Sequence, residues 1–117
     1  MIFVFGSNLA GIHGAGAAKF AHIYRGAIYG QGIGMQGNSY AIPTKDKRIR
    51  TLPLNVIKEH VDDFIQFAKD NPELEFEVTR IGCGLAGYKD AQIAPMFEDA
   101  PSNCVLPEEW ECLMNTN

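Results

Sequence analysis

Arg80-Ile81-Gly82-Cys83-Gly84-Leu85-Ala86-Gly87-Tyr88 is the stretch on which the reading of this chain turns. Before it, Phe76-Glu77-Val78-Thr79 reads as a strand; after it, Ala91-Gln92-Ile93-Ala94-Pro95-Met96-Phe97 reads as a helix. Three glycines fall within the six residues 82–87, at a strand-to-helix turn. Glycine permits positive φ and close approach of another group to the backbone. Exposed N–H groups at such a turn, beside a helix N-terminus, attract phosphate. A second turn of this kind lies at the other end of the chain. Met1-Ile2-Phe3-Val4-Phe5 is followed by Gly6-Ser7-Asn8-Leu9-Ala10-Gly11-Ile12-His13-Gly14-Ala15-Gly16. Two Gly-rich loops after two strands suggest a clamp around a pyrophosphate.

Working outward, the periodicity predicts strand 2–5, helix 14–25, strand 39–43, helix 54–70, strand 75–81, helix 90–98, strand 103–106 and a short helix 107–113. In the first helix Ala17, Ala18, Phe20, Ala21 and Tyr24 fall on helical spacing. In the long one Val56, Ile57, Val61, Phe64, Ile65 and Ala68 form an apolar face, with Lys58, Glu59, Asp62 and Asp63 largely opposite. Pro72 marks its end. Segment 25–38, with five glycines, reads as a long loop with short strand pieces. Strands alternating with helices imply an α/β fold with a mostly parallel sheet covered on both faces.

The 117 residues suit one domain, 1–117, and 46% hydrophobic content suits a globular core. No apolar run nears the ~20 residues that span a bilayer. Met1–Phe5 is too short for a signal-peptide apolar region and lacks preceding basic residues, so a cytoplasmic protein is expected. Cys83, Cys104 and Cys112 are odd in number and lack paired spacing, which argues against a disulfide framework or structural zinc. No metal or cofactor is expected. The net charge of −4 disfavours nonspecific nucleic-acid binding, and the basic run Lys45-Asp46-Lys47-Arg48-Ile49-Arg50 reads first as a solvated loop. The first loop does not match the named nucleotide motifs. Gly14-Ala15-Gly16-Ala17-Ala18-Lys19 lacks the third glycine of the dinucleotide fingerprint, no acid follows about 20 residues on, and no Gly-Lys-Ser/Thr is present.

Phe5-Gly6-Ser7-Asn8, Gly11 and His13-Gly14-Ala15-Gly16-Ala17-Ala18 together resemble the strand, Asn, Gly-rich loop and helix start of macrodomains. Ile81 to Tyr88 looks like the phosphate loop of the same family. Ser39-Tyr40-Ala41-Ile42-Pro43-Thr44-Lys45 is similar to the segment in which the terminal ADP-ribose glycohydrolase branch places its lysine. The chain also looks like small macrodomain proteins of bacteriophages. The resemblance covers most of the chain from Met1 to Leu106. It implies a three-layer α/β/α sandwich that binds ADP-ribose over the sheet. It further implies either a reader of ADP-ribose, free or on a protein, or a hydrolase of ADP-ribosyl esters, O-acetyl-ADP-ribose or ADP-ribose 1″-phosphate. The ligand residues it implies are Gly6, Ser7, Asn8, Gly14, Ala15, Gly16, Thr44, Gly82, Cys83, Gly84, Leu85, Ala86, Gly87 and Tyr88.

The chain departs from the family at three places. The Asp that reads adenine would fall at or before Met1. The catalytic Asp of common bacterial hydrolases is replaced by Ala17 or Ala18, and the acid of the glycohydrolase branch by Ala86. Lys45 is thus a candidate nucleophile without its usual partner, for which Asp46 or Asp90 could substitute. Asn8 reads either as a contact to ribose or water, or as a turn or cap residue. His13 reads as an acid/base near neutral pH or as a loop-surface histidine. Cys83 would need a base or helix dipole to act as a nucleophile, and reads better as a space-filling residue. Tyr88 reads as a stacking or hydrogen-bonding group at the distal ribose, or as packing. His22 and His60 read as structural or solvent-facing, and Trp110 as packing the C-terminal helix onto the sheet. Asn8, His13 and Lys45 are the catalytic candidates. The readings are a hydrolase, a noncatalytic ADP-ribose-binding module, and a structural phage or bacterial accessory protein.

Overall fold

The computed structural model describes residues 1–114 of the chain. Its elements, in order, are β1 (Ile2–Asn8), α1 (Gly16–Tyr24), β2 (Gly34–Gln36), β3 (Ser39–Lys45), α2 (Leu54–Asp70), β4 (Phe76–Val78), α3 (Asp90–Ile93), a 3-10 turn (Ala94–Phe97), β5 (Cys104–Val105) and α4 (Glu108–Met114). The strands form one sheet in the order β2-β3-β1-β4-β5. β1 pairs in parallel with β3 and β4, β4 pairs in parallel with β5, and β2 runs antiparallel to β3. The sheet is therefore mixed, with its one antiparallel partner at an edge.

β1 is central because it is apolar on both faces. Ile2 and Val4 point into one core with Phe64, Phe76, Phe97 and Trp110, residues of α2, β4, the 3-10 turn and α4. Phe3 and Phe5 point the other way, onto Ala18 and Ala21 of α1 and onto Ala27 and Ala41. This is the alternation that a strand's two-residue period dictates. α2 buries Ile57, Val61, Phe64, Ile65 and Ala68, the face expected, with Val56 half-buried at its margin.

Several boundaries differ from the sequence reading, and the main differences have local reasons. β1 runs to Asn8 rather than Phe5, because β3 continues beside it past a bulge between Ser7 and Asn8. Pro43 is tolerated there because β2 pairs only with residues 39–41, which leaves that side of β3 without a ladder partner. β4 ends at Val78 rather than at residue 81. The Thr79 N–H and hydroxyl both donate to the Val4 carbonyl (3.1 and 2.7 Å), and the Ile81 N–H then turns back to the Thr79 carbonyl (2.8 Å). Helix 90–98 divides into a short α-helix and a 3-10 turn that has Pro95 in its first turn. β2, of three residues, is a short strand piece of the kind expected in segment 25–38.

A candidate ligand cleft above the sheet

β1, β3 and β4 are parallel, so their carboxyl ends open onto one edge, and in open α/β sheets ligands bind there. A cleft of about 680 Å³ lies at this edge. Its floor comes from Gly6, Ser7 and Asn8, from Thr44 and Lys45, and from Thr79, Arg80 and Ile81. One wall is Ile12 and Gly14–Ala18, the other Gly82–Ala86, and Ile49 reaches in from the turn after β3. Chain segments some seventy residues apart in sequence thus share one concavity.

The first loop is held by its own backbone. Asn8 Nδ2 donates to the Ile12 carbonyl (2.8 Å), and the Ile12 N–H donates to Asn8 Oδ1 (2.9 Å). Asn8 is buried and lines the cleft, yet both ends of its carboxamide brace the loop. Ser7 donates to the Gly32 carbonyl, and Thr44 to the Ser7 carbonyl (3.3 Å). Segment 30–32 presses on this loop. A Cβ at Gly32 would stand 2.1 Å from the Asn8 carbonyl oxygen, and one at Gly11 only 2.3 Å from the Gly30 backbone.

The second loop is anchored at its margins. Thr51 donates its hydroxyl to the Ala86 carbonyl (3.0 Å), and Tyr88 donates its hydroxyl to the Leu52 carbonyl (2.7 Å). Gly82 takes a left-handed φ of 74°, and a Cβ there would meet Ile93. Gly84 has nothing within 4 Å of where a Cβ would stand. Its backbone is open to an incoming group.

Of the expected ligand residues, Gly6, Ser7, Asn8, Gly14, Ala15, Gly16, Thr44, Gly82, Cys83, Gly84, Leu85 and Ala86 all line the cleft. Gly87 and Tyr88 do not. Tyr88 is tied instead to Leu52 and packs against the main core. Lys45 lines the cleft and, among the described residues, makes no ion pair.

The expectation for His13 is corrected. It is 1% exposed, lies behind the loop and is not part of the cleft lining. Its ring meets Phe5 and Tyr29 edge-on (5.4 and 5.9 Å between centroids), and its Nε2 stands 3.1 Å from the Gln31 carbonyl. Its Nδ1 is buried with no partner among the described residues. The cause is the left-handed turn at Gly11, φ 71°, which carries residues 12 and 13 to opposite sides of the loop: Ile12 to the cleft, His13 to the core. His22 is also structural, with its Nδ1 2.9 Å from the Ala27 carbonyl.

The two substitute acids are also engaged elsewhere. Asp46 Oδ1 accepts the N–H groups of Arg48 and Arg50 (2.8 and 3.0 Å), closing the 46–50 turn; the Arg50 amide above all holds its carboxyl below the usual range. Asp90 accepts Nε and Nη2 of Arg80 (2.9 and 2.6 Å) and the indole N–H of buried Trp110 (2.7 Å). Arg80 is the main reason that its carboxyl is lowered to about 2, with Trp110 assisting. Burial, and then the neighbouring Asp90, push the Cys83 thiol up to about 12. It stays protonated at neutral pH, as a space-filling residue would.

Ile12, Ala17, Ala18, Ile49, Thr79, Arg80 and Ile81 complete the cleft beyond the expected set. Ile49 had no sequence signal as a cleft residue, since it lies in the basic run. It is the one non-glycine among the described residues with positive φ, 64°. Among the described residues no Asp or Glu lines the cleft, and its only charged side chains are Lys45 and Arg80. Also among these, no group of His, Cys, Asp and Glu could hold a metal ion, and no helix is long and apolar enough to cross a membrane.

No family model, curated protein or solved structure matches the chain.

Proposed function

We propose that this cleft binds ADP-ribose or a derivative of it, free or attached to a protein, in a three-layer macrodomain-like sandwich. In this reading the diphosphate lies between the two Gly-rich loops and is held largely by backbone N–H groups. The observation that carries it is the composition of the lining. Two glycine loops face one another, the lining's charged side chains are both cationic, Arg80 being paired with Asp90 and Glu109 outside it, and among the described residues no carboxylate lines the cleft. Backbone donors without an opposing negative charge are what a phosphate needs. Binding is favoured over hydrolysis because, among the described residues, no acid lines the cleft, and both substitutes are committed to other partners.

The test is calorimetric titration with ADP-ribose, AMP and NAD. ADP-ribose is expected to bind more tightly than AMP, because AMP lacks the second phosphate. A parent protein that binds none of the three refutes the reading.

Hydrolysis is retained as a second reading on one observation, the Lys45 ammonium at the cleft floor, which makes no ion pair among the described residues. A lysine that attacks the anomeric carbon would leave a sugar adduct on Lys45, visible by mass spectrometry after reduction. Turnover assayed on an ADP-ribosylated protein and on ADP-ribose 1″-phosphate, with Asn8→Ala and Lys45→Ala as controls, decides between enzyme and binding module. Removing an acid/base group typically costs ~10²-fold or more in rate. Binding without turnover of either substrate leaves these residues as ligand contacts.

A further inference from the structure

Three large aliphatic side chains stand on the rim of the cleft, each from a different loop: Ile12, Ile49 and Leu85. They are 43%, 41% and 70% exposed, and none belongs to either core. All three line the same opening. Leu85 leans across toward the first loop, 3.6 Å from where a Cβ of Gly16 would be. Ile49 is presented at a backbone conformation that a β-branched residue avoids. Asp46 enforces it by accepting the amides on either side, those of Arg48 and Arg50. Strain held in place by its surroundings points to a use for the side chain it displays.

The neutral polar side chains of the lining are all engaged with backbone. Ser7 is bound to Gly32, Asn8 to Ile12, Thr44 to Ser7 and Thr79 to Val4. Arg80 is bound to Asp90. Lys45 and the backbone N–H groups of the two loops remain to meet an anion, and the rim suits an apolar face that makes no hydrogen bond to a side chain.

We infer that the Ile12–Ile49–Leu85 rim holds a nucleobase by its faces and does not read its edge, so that the site takes nucleoside diphosphates as a class, whatever the base. This rests on the proposed binding of ADP-ribose and names its breadth. A site that reads a group by buried hydrogen bonds rejects analogues by about 10⁴-fold. Contact with a base's face tolerates every base, because each has one. Charge complementarity selects the occupant: a diphosphate for the floor, with its attached base at the rim.

The experiment titrates the protein with ADP-ribose, ADP, GDP, UDP and inorganic pyrophosphate, and repeats the series with Ile49→Ser and Leu85→Ser, each first shown to melt as the parent does. The three nucleotides are expected to bind within about fivefold of one another, and pyrophosphate at least about tenfold more weakly. Each variant should weaken all three nucleotides about equally, by about tenfold, and Ile49→Ser should leave pyrophosphate unchanged. If ADP-ribose binds while ADP exceeds GDP and UDP by about 100-fold or more, the base is read and the inference is overturned, with ADP-ribose binding intact. Nucleotide affinities that are unmoved in both variants, or absent while ADP-ribose binds, also overturn it. If ADP-ribose itself does not bind, the proposed function fails and the inference fails with it.

Discussion

The two Gly-rich loops look alike in sequence and differ in how they are built. In the loop of residues 6–16 Gly11 answers to packing, whereas a Cβ at Gly6, Gly14 or Gly16 would make only ordinary contacts. Gly11 is backed by the Gly30–Gln31 backbone, and Gly32 presses on the loop from outside, with no room for one carbon at either. Asn8 closes it with two hydrogen bonds. In the loop of residues 82–88 only Gly82 has a close neighbour, in Ile93, while Gly84 and Gly87 meet nothing. That loop is pinned at Ala86 and Tyr88 and otherwise open. A glycine can therefore mean absence of space or availability of backbone, and only the second offers a seat to a ligand.

The comparison can be broken most forcefully at Gly32. Gly32→Ala should destabilise the protein by at least ~3 kcal/mol, since the new carbon meets a backbone oxygen that cannot rotate away. Urea unfolding measures it, and a change below about 0.5 kcal/mol would mean that the first loop is as loose as the second.

Asp90 supports the second loop from below, and its loss is next in size. Asp90→Ala leaves the buried Trp110 indole N–H without its acceptor and should cost ~2 kcal/mol by the same measurement. Because the folded carboxyl is lowered to about 2 against about 3.9 when unfolded, its contribution is complete above pH ~4. It fades as the pH falls from there toward 2. Asp90→Asn removes this titration, so the stability gap between parent and variant should narrow over that interval and stay constant above it.

Asn8→Ala should cost ~1 kcal/mol through the lost brace and the stranded Ile12 N–H. Its effect on ADP-ribose affinity sharpens the comparison. An affinity loss that tracks the stability loss marks a scaffold residue, whereas a much larger one marks a direct contact. The smallest stability effect belongs to Gly84→Val, within ~0.5 kcal/mol, since open space awaits the side chain. ADP-ribose binding should nonetheless vanish in calorimetry. A folded Gly84→Val protein that binds as the parent does would remove the second loop from the proposed phosphate site.

What the amino-acid sequence by itself determined was the order of elements and the position of both turns. Period-two and helical spacing are properties of neighbouring residues, so β1, α2 and the strand before Ile81 were legible without the fold. Long-range facts were not. Short strand pieces could be read in segment 25–38, but not that residues 34–36 pair antiparallel with β3. His13 and Ile12 are adjacent, and nothing local says which enters the core; the left-handed turn at Gly11, packed on Gly30, decides it. Asp46 and Asp90 are carboxylates of equal promise in the chain. Their commitment to the Arg48 and Arg50 amides, and to Arg80 and Trp110, becomes visible only when those donors are brought within 3 Å. Ile49 reaches the cleft through one strained residue in a run that reads as a charged loop. Periodicity is written in steps of two to four residues, whereas a cleft is assembled from side chains that meet across forty or eighty, and only the tertiary structure sets which of them face it.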